Sequence, residues 1–140
     1  MQSLFPGNEI ISLLPHSGRA LYYGQVFECG TADRLFRKLT DKIEWSQDQV
    51  RLYGKTFITK RKVAWYGDRA YVYSYSGSTK VAIPWNATLL EIKSVVEKKC
   101  GRDFNSCLLN LYHSGEEGMS WHSDDEDTLD LEAPIASVSF

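Results

Sequence analysis

The chain has 140 residues, with 16 Lys and Arg against 18 Asp and Glu, for a formal net charge of −2. That length suits one ordinary domain, and 24% charged with 43% hydrophobic residues argue against a disordered or collagen-like chain. The small net charge hides a split. All sixteen basic residues lie at or before Arg102 beside nine acids, giving +7, and the nine acids after it have no Lys or Arg among them, giving −9. A basic front suits a polyanion, and an acidic rear suits a metal or another cation.

Cys29, Cys100 and Cys107 are odd in number and form no C-x-x-C pair, which disfavours a disulfide framework or a structural zinc site. No Lys or Arg precedes Arg19, and the apolar run Ile10 to Leu14 is too short for a signal-peptide core or a membrane span. The expectation is a reduced protein of the cytoplasm, or of the nucleus in a eukaryote, with no membrane partner. Its cysteines then serve as small apolar residues.

In chain order, residues 1–19 read as a loose arm punctuated by Pro6, Gly7, Pro15 and Gly18. Ala20 to Phe27 is aromatic and predicts a strand. Thr31 offers a helix N-cap, and Leu35, Leu39 and Ile43 at spacing four predict an amphipathic helix ending near Trp45. Residues 50–80 read as strands and turns, with Tyr71, Tyr73 and Tyr75 alternating along one strand. A second helix is expected from about Thr88 to Lys99, with Lys98 and Lys99 in its last turn and Gly101 suited to C′. Cys107 to Tyr112 predicts a strand. Ile135 to Phe140 alternates and predicts another, with Ala136, Val138 and Phe140 on one side. This pattern favours an α+β class.

The chemistry concentrates in Trp121-His122-Ser123-Asp124-Asp125-Glu126. On an extended strand, His122 and Asp124 project to one face, so an imidazole and a carboxylate converge. That is two-thirds of the 2-His-1-carboxylate triad that holds non-haem Fe(II) with positions open. On spacing alone, such a pair is more often a surface histidine beside a carboxylate. From Arg51 to Arg69, six basic residues stand against Asp68 alone, interleaved with Tyr53, Phe57, Trp65 and Tyr66. Cations neutralise phosphates and aromatic rings stack unpaired bases, although a solvated basic hairpin has the same composition.

These motifs, with Phe104-Asn105-Ser106, Asn110-x-Tyr112, Arg61 to Asp68, Tyr73 to Gly77 and Pro134 to Phe140, resemble the AlkB family of Fe(II)/2-oxoglutarate-dependent nucleic-acid dealkylases. The resemblance runs from about Gly18 to Phe140. It implies a double-stranded β-helix, a jelly-roll-like core of about eight strands, with N-terminal helices flanking the sheet. It implies Fe(II) and 2-oxoglutarate as cofactors with dioxygen as co-substrate. It also implies alkylated DNA or RNA as partner, with removal of the N-methyl groups of 1-methyladenine and 3-methylcytosine and release of formaldehyde and succinate.

Residue by residue, the resemblance assigns His122 and Asp124 to iron, and Asn110 and Tyr112 to 2-oxoglutarate. Tyr73, Tyr75, Ser76, Asp125 and Glu126 fall to the base pocket. Arg61 and Lys62 are the expected phosphate contacts, and Leu52-Tyr53-Gly54 matches a wedge that fills the gap left by a flipped base. Trp121 is expected to pack; His16 and His113 are expected to face solvent. The family's distal metal histidine and its pair of arginines have no counterpart before Phe140. The reading is therefore residues 20–140 as the N-terminal two-thirds of one dioxygenase domain, incomplete at its C-terminus. The competing reading is a non-catalytic nucleic-acid-binding module or remnant of such an enzyme.

Overall fold

The computed structural model describes residues 11–75, 78–122, 124, 130 and 132–140. The chain forms two compact units, Met1–Arg37 with Phe140, and Lys38–Ser139. The first holds a short antiparallel pair, β1 (Ile11–Ser12) with β2 (Leu21–Tyr22), and the start of helix α1 (Cys29–Lys42). Leu35 on that helix is fully buried, and the Phe27 and Phe140 rings lie 5.5 Å apart. The strand expected over Ala20–Phe27 is only two residues long. Thr31, expected to cap α1, lies inside its first turn; the Ala32 N–H already donates to the Glu28 carbonyl.

The second unit is built on a long strand, β4 (Lys55–Gly67). Its first half pairs with β3 (Ser46–Leu52) in a hairpin turned by Tyr53-Gly54. Both turn residues have positive φ, 51° and 76°, the geometry of a two-residue type I′ turn. The second half of β4 pairs with β8 (Ser106–Leu111) on one edge and in parallel with β7 (Ile83–Pro84) on the other. Val63 sits between Ser46 and Asn110, and Tyr66 between Ile83 and Cys107, so β4 is the central strand. A second hairpin, β5 (Val72–Tyr75) with β6 (Ser78–Val81), carries Tyr73 and Lys80.

Alternation divides β4 into two faces. Ala64 and Tyr66 join Ile43 and Leu89 in the apolar core, with Leu39, Trp45, Ile83, Trp85 and Leu109 packed around them. The Tyr66 hydroxyl accepts from the Glu44 N–H at 3.1 Å, so its polar tip is satisfied inside the core. Leu89 comes from α2 (Ala87–Cys100). Asn86 caps that helix by accepting the Leu89 N–H at 2.9 Å, and Gly101 ends it at φ 65°, where a Cβ is disfavoured. The expected second helix is thus present, one residue longer at each end.

Two expectations fail. Ile135–Phe140 forms no strand: no described segment pairs with its backbone, and Ile135 is 70% exposed. Trp121 does not pack but is fully exposed. The observed class is α+β, with mainly antiparallel sheets and two helices. No helix among the described residues is long and apolar enough to cross a membrane. The three cysteines are free; Cys29 is exposed, contrary to an apolar role, whereas burial pushes the Cys107 thiol up to about 11.

Candidate metal and co-substrate site

His122 and Asp124 do not lie on a strand. Their side chains nonetheless meet, with His122 Nε2 3.3 Å from Asp124 Oδ1. His122 Nδ1 lies 2.8 Å from the Ser120 carbonyl oxygen. A carbonyl only accepts, so Nδ1 is the donor of that contact, and Nε2 is the ring nitrogen that faces the carboxylate. Two donors about 2.1 Å from one ion at a right angle stand about 3 Å apart, so the pair fits a metal with nitrogen and oxygen preference. Both side chains are about half exposed, which leaves room for further ligands. Among the described residues, no third His, Cys, Asp or Glu joins them.

The loop that delivers this pair leaves β8 at His113. The His113 N–H and ring Nδ1 both meet the Glu117 carboxylate at 3.0 Å. The backbone hydrogen bond from His113 is the main reason that Glu117 is held below the usual carboxylate range. His113 is thus half exposed but engaged, bracing the first turn of the loop.

Asn110 and Tyr112 follow on β8 and at its end, two residues apart and so on one side of the strand. That side is also the side of Arg61, Val63 and Trp65. Arg61 Nη1 donates to Asn110 Oδ1 at 2.8 Å and also reaches the Met119 sulfur. Arg61 Nη2 meets Asp48 Oδ2 at 2.5 Å, and Lys80 Nζ meets Asp48 Oδ1 at 2.6 Å. A bulge makes this possible: between the pairs Gln47–Lys62 and Gln49–Ile58, Asp48 alone stands against Thr59, Lys60 and Arg61.

Arg61 is therefore withdrawn as a phosphate contact. Its side chain is only 8% exposed and its fork is filled by Asp48 and Asn110. Lys62, next along the strand, projects to the opposite face and is half-buried. The β3–β4 hairpin bears the exposed cations Arg51, Lys55 and Lys60, with Phe57 half exposed and Tyr53 fully so at its tip. Tyr53 and Gly54 form the turn itself, with Leu52 paired to Lys55 beside it. Tyr73 makes an edge contact with Trp65, centroids 5.5 Å apart, on the site side of β4. The Tyr75 backbone pairs with Ser78. Ser76, Asp125 and Glu126 lie outside the described residues. Asp48 and Lys80 were not among the expected site residues. The β3–β4 bulge brings Asp48 there, and the separate β5–β6 hairpin carries Lys80 to it.

Residues 19–140 match the family model described as the 2OG-Fe(II) oxygenase superfamily. The chain is 36% identical over 121 residues to the DNA oxidative demethylase ALKBH2 of Bos taurus, covering 84% of this chain and 44% of that protein. It is 36% identical over 126 residues to the Mus musculus ALKBH2, covering 88% and 53%. It is 35% identical over 132 residues to the alpha-ketoglutarate-dependent dioxygenase alkB homolog 3 of Homo sapiens, covering 93% and 46%. The chain spans about half the length of the curated relatives it matches. A match to the family model over nearly the whole chain, with this identity to ALKBH2 and alkB homolog 3, shows that the chain belongs to the 2OG-Fe(II) oxygenase superfamily and, within it, to the AlkB family.

Proposed function

We propose that the protein of which this chain is part removes N-alkyl groups from DNA bases, using Fe(II) and 2-oxoglutarate. The observation that carries the reading is the His122–Asp124 pair, an imidazole nitrogen 3.3 Å from a carboxylate oxygen with both side chains about half exposed. When bound, iron with 2-oxoglutarate and dioxygen supplies the oxidising chemistry that hydroxylates the alkyl carbon, after which formaldehyde leaves. The chain's own residues do the holding. His122 and Asp124 offer one nitrogen and one oxygen donor to the metal. Asn110 and Tyr112 offer an amide and a phenol to the co-substrate carboxylate. Tyr73, backed by Trp65, supplies an aromatic wall on the same side of β4 for an extruded base.

The β3–β4 hairpin supports the nucleic-acid half of the reading. Arg51, Lys55 and Lys60 suit phosphates, and exposed Tyr53 and Phe57 suit stacking against unpaired bases. Tyr53 at the turn is the wedge of this proposal, with Leu52 and Gly54 shaping its base. The sheets are then read as strands of a double-stranded β-helix.

The test is release of formaldehyde and succinate by the full-length protein, loaded with Fe(II), on an oligonucleotide bearing 1-methyladenine. Turnover is expected, and His122→Ala or Asp124→Ala should abolish it. Activity that survives both changes removes the metal assignment. Oligonucleotide binding without any turnover by the complete protein favours a non-catalytic module.

A further inference from the structure

We propose that Arg61, anchored by Asp48, is a positioning residue that sets which end of the Asn110 amide faces the co-substrate carboxylate. The inference rests on the 2-oxoglutarate reading of Asn110 above. It begins from an asymmetry of chemistry. A guanidinium has five N–H donors and no acceptor. Its Nη1 lies 2.8 Å from the Asn110 side chain, so the amide end facing it is the carbonyl oxygen. The Nδ2 end, with two protons, is then the end turned away from Arg61. A half-turn of the amide would set its N–H donors against the Arg61 donors and forfeit the charge-assisted bond, although the Asn110 side chain is itself exposed. Two N–H donors at the free end match a carboxylate, which only accepts.

The anchor is as specific as the contact. Nη2 of the same guanidinium is held by Asp48 Oδ2 at 2.5 Å, and the side chains are 8% and 6% exposed. Lys80 holds the other Asp48 oxygen at 2.6 Å and is itself 28% exposed. Asp48, Arg61 and Lys80 together carry one net positive charge, a favourable background for a dianionic co-substrate. Arg61 also touches the sulfur of Met119, three residues before His122. One planar group thereby ties the strand that bears Asn110 to the loop that bears the metal pair.

Lysine cannot replace such a fork. It keeps the charge but lacks the planar set of donors that meets Asp48 and Asn110 together. In the full-length protein loaded with redox-inert Mn(II), Arg61→Lys should raise the 2-oxoglutarate Kd about tenfold, as expected for loss of a charge-assisted contact. With Fe(II), the KM for 2-oxoglutarate should rise in step, while kcat falls less than about threefold. The salt dependence of oligonucleotide binding should not change. Asp48→Asn should act in the same direction as Arg61→Lys. Unchanged 2-oxoglutarate affinity in a folded Arg61→Lys variant overturns the proposal. If the salt slope also falls by about one, Arg61 is a phosphate contact instead. A wild-type protein that fails to bind 2-oxoglutarate removes the reading of Asn110 and the proposal with it.

Should both variants fail to fold, nitrogen-15 spectra of the wild-type protein decide. A locked fork gives separately resolved Arg61 Nη–H signals that shift on adding 2-oxoglutarate and not on adding undamaged oligonucleotide. One averaged signal, indifferent to 2-oxoglutarate, overturns the proposal.

Discussion

The two faces of β4 are buried to similar depth by opposite means. On one, Ala64 and Tyr66 meet Ile43 and Leu89 in a core whose contacts are apolar. On the other, Val63 is 2% exposed and Arg61 7%, yet the contacts include a guanidinium, a carboxylate, an ammonium and an amide. Apolar contact is non-directional and tolerates small slides of side chain over side chain. Hydrogen bonds to a planar fork do not, since they weaken steeply away from their preferred geometry. One strand thus carries a face that provides bulk stability and a face that provides placement. The residues proposed to hold a ligand are on the second.

The largest effect should come from the apolar face. Tyr66→Ala is expected to lower the unfolding free energy by about 4 kcal/mol in urea titrations, because the core cannot close over so large a void. Asp48→Ala comes next, at about 3 kcal/mol, since it leaves two cations, Arg61 and Lys80, facing one another without their carboxylate. The double change Asp48→Leu with Arg61→Met then separates the two faces. It should recover much of the stability, as apolar replacements of buried pairs often do, while 2-oxoglutarate affinity stays low. If affinity recovers with stability, the polar face is only a second core.

Much of the apolar face was readable in the chain. Leu35, Leu39 and Ile43 at spacing four, and Leu89 and Ile92 followed by Gly101, announce two amphipathic helices from local pattern alone. The strand Cys107 to Tyr112 was legible for the same reason. The polar face was not, because its parts are distant in sequence. Asp48 and Arg61 meet only through a bulge, and Arg61 meets Asn110 only through the β4–β8 register. A run of basic residues gives no sign of which cation turns inward, so Arg61 read as a phosphate contact. Alternation over Ile135–Phe140 predicted a strand, but alternation cannot supply the neighbour whose N–H and C=O groups a strand needs. His122 Nε2 and Asp124 Oδ1 lie 3.3 Å apart although neither residue is on a strand, so their proximity does not come from the strand geometry that the spacing predicts.

The hairpin beyond the bulge gives a smaller effect. It pairs with β3 alone, and its cations belong to neither face's packing. Lys55→Ala with Lys60→Ala should weaken oligonucleotide binding and reduce its salt slope by about two, one per phosphate contact. Stability and 2-oxoglutarate affinity should hardly move. A loss of co-substrate affinity in this pair would mean that the hairpin and the polar face are coupled.

The smallest effect lies behind the apolar face, at the end of α2. Glu97 pairs with Lys93 at 2.7 Å and accepts the Phe104 N–H at 2.8 Å, joining the helix to the segment that enters β8. The bond from Lys93 is the main cause that lowers the Glu97 carboxyl, with the Phe104 N–H second. A carboxylate lowered on folding contributes stability that is fully present above its unfolded value and lost as pH falls through its folded one. Lys93 is raised, chiefly by the same bond, so its share is present below its unfolded value and lost as pH rises through the folded one. The contact therefore stabilises the neutral range and weakens at both ends. Glu97→Gln keeps an acceptor for Phe104 but no charge for Lys93. It should lower the neutral-pH melting temperature by a degree or two, the small effect usual for an i,i+4 pair, and flatten the acid limb. High salt should shrink the difference between variant and wild type, since screening removes the same interaction. If the acid limb is unchanged by Glu97→Gln, the Lys93–Glu97 pair does not contribute to holding the C-terminal end of the helix, and the Gly101 cap there suffices without it.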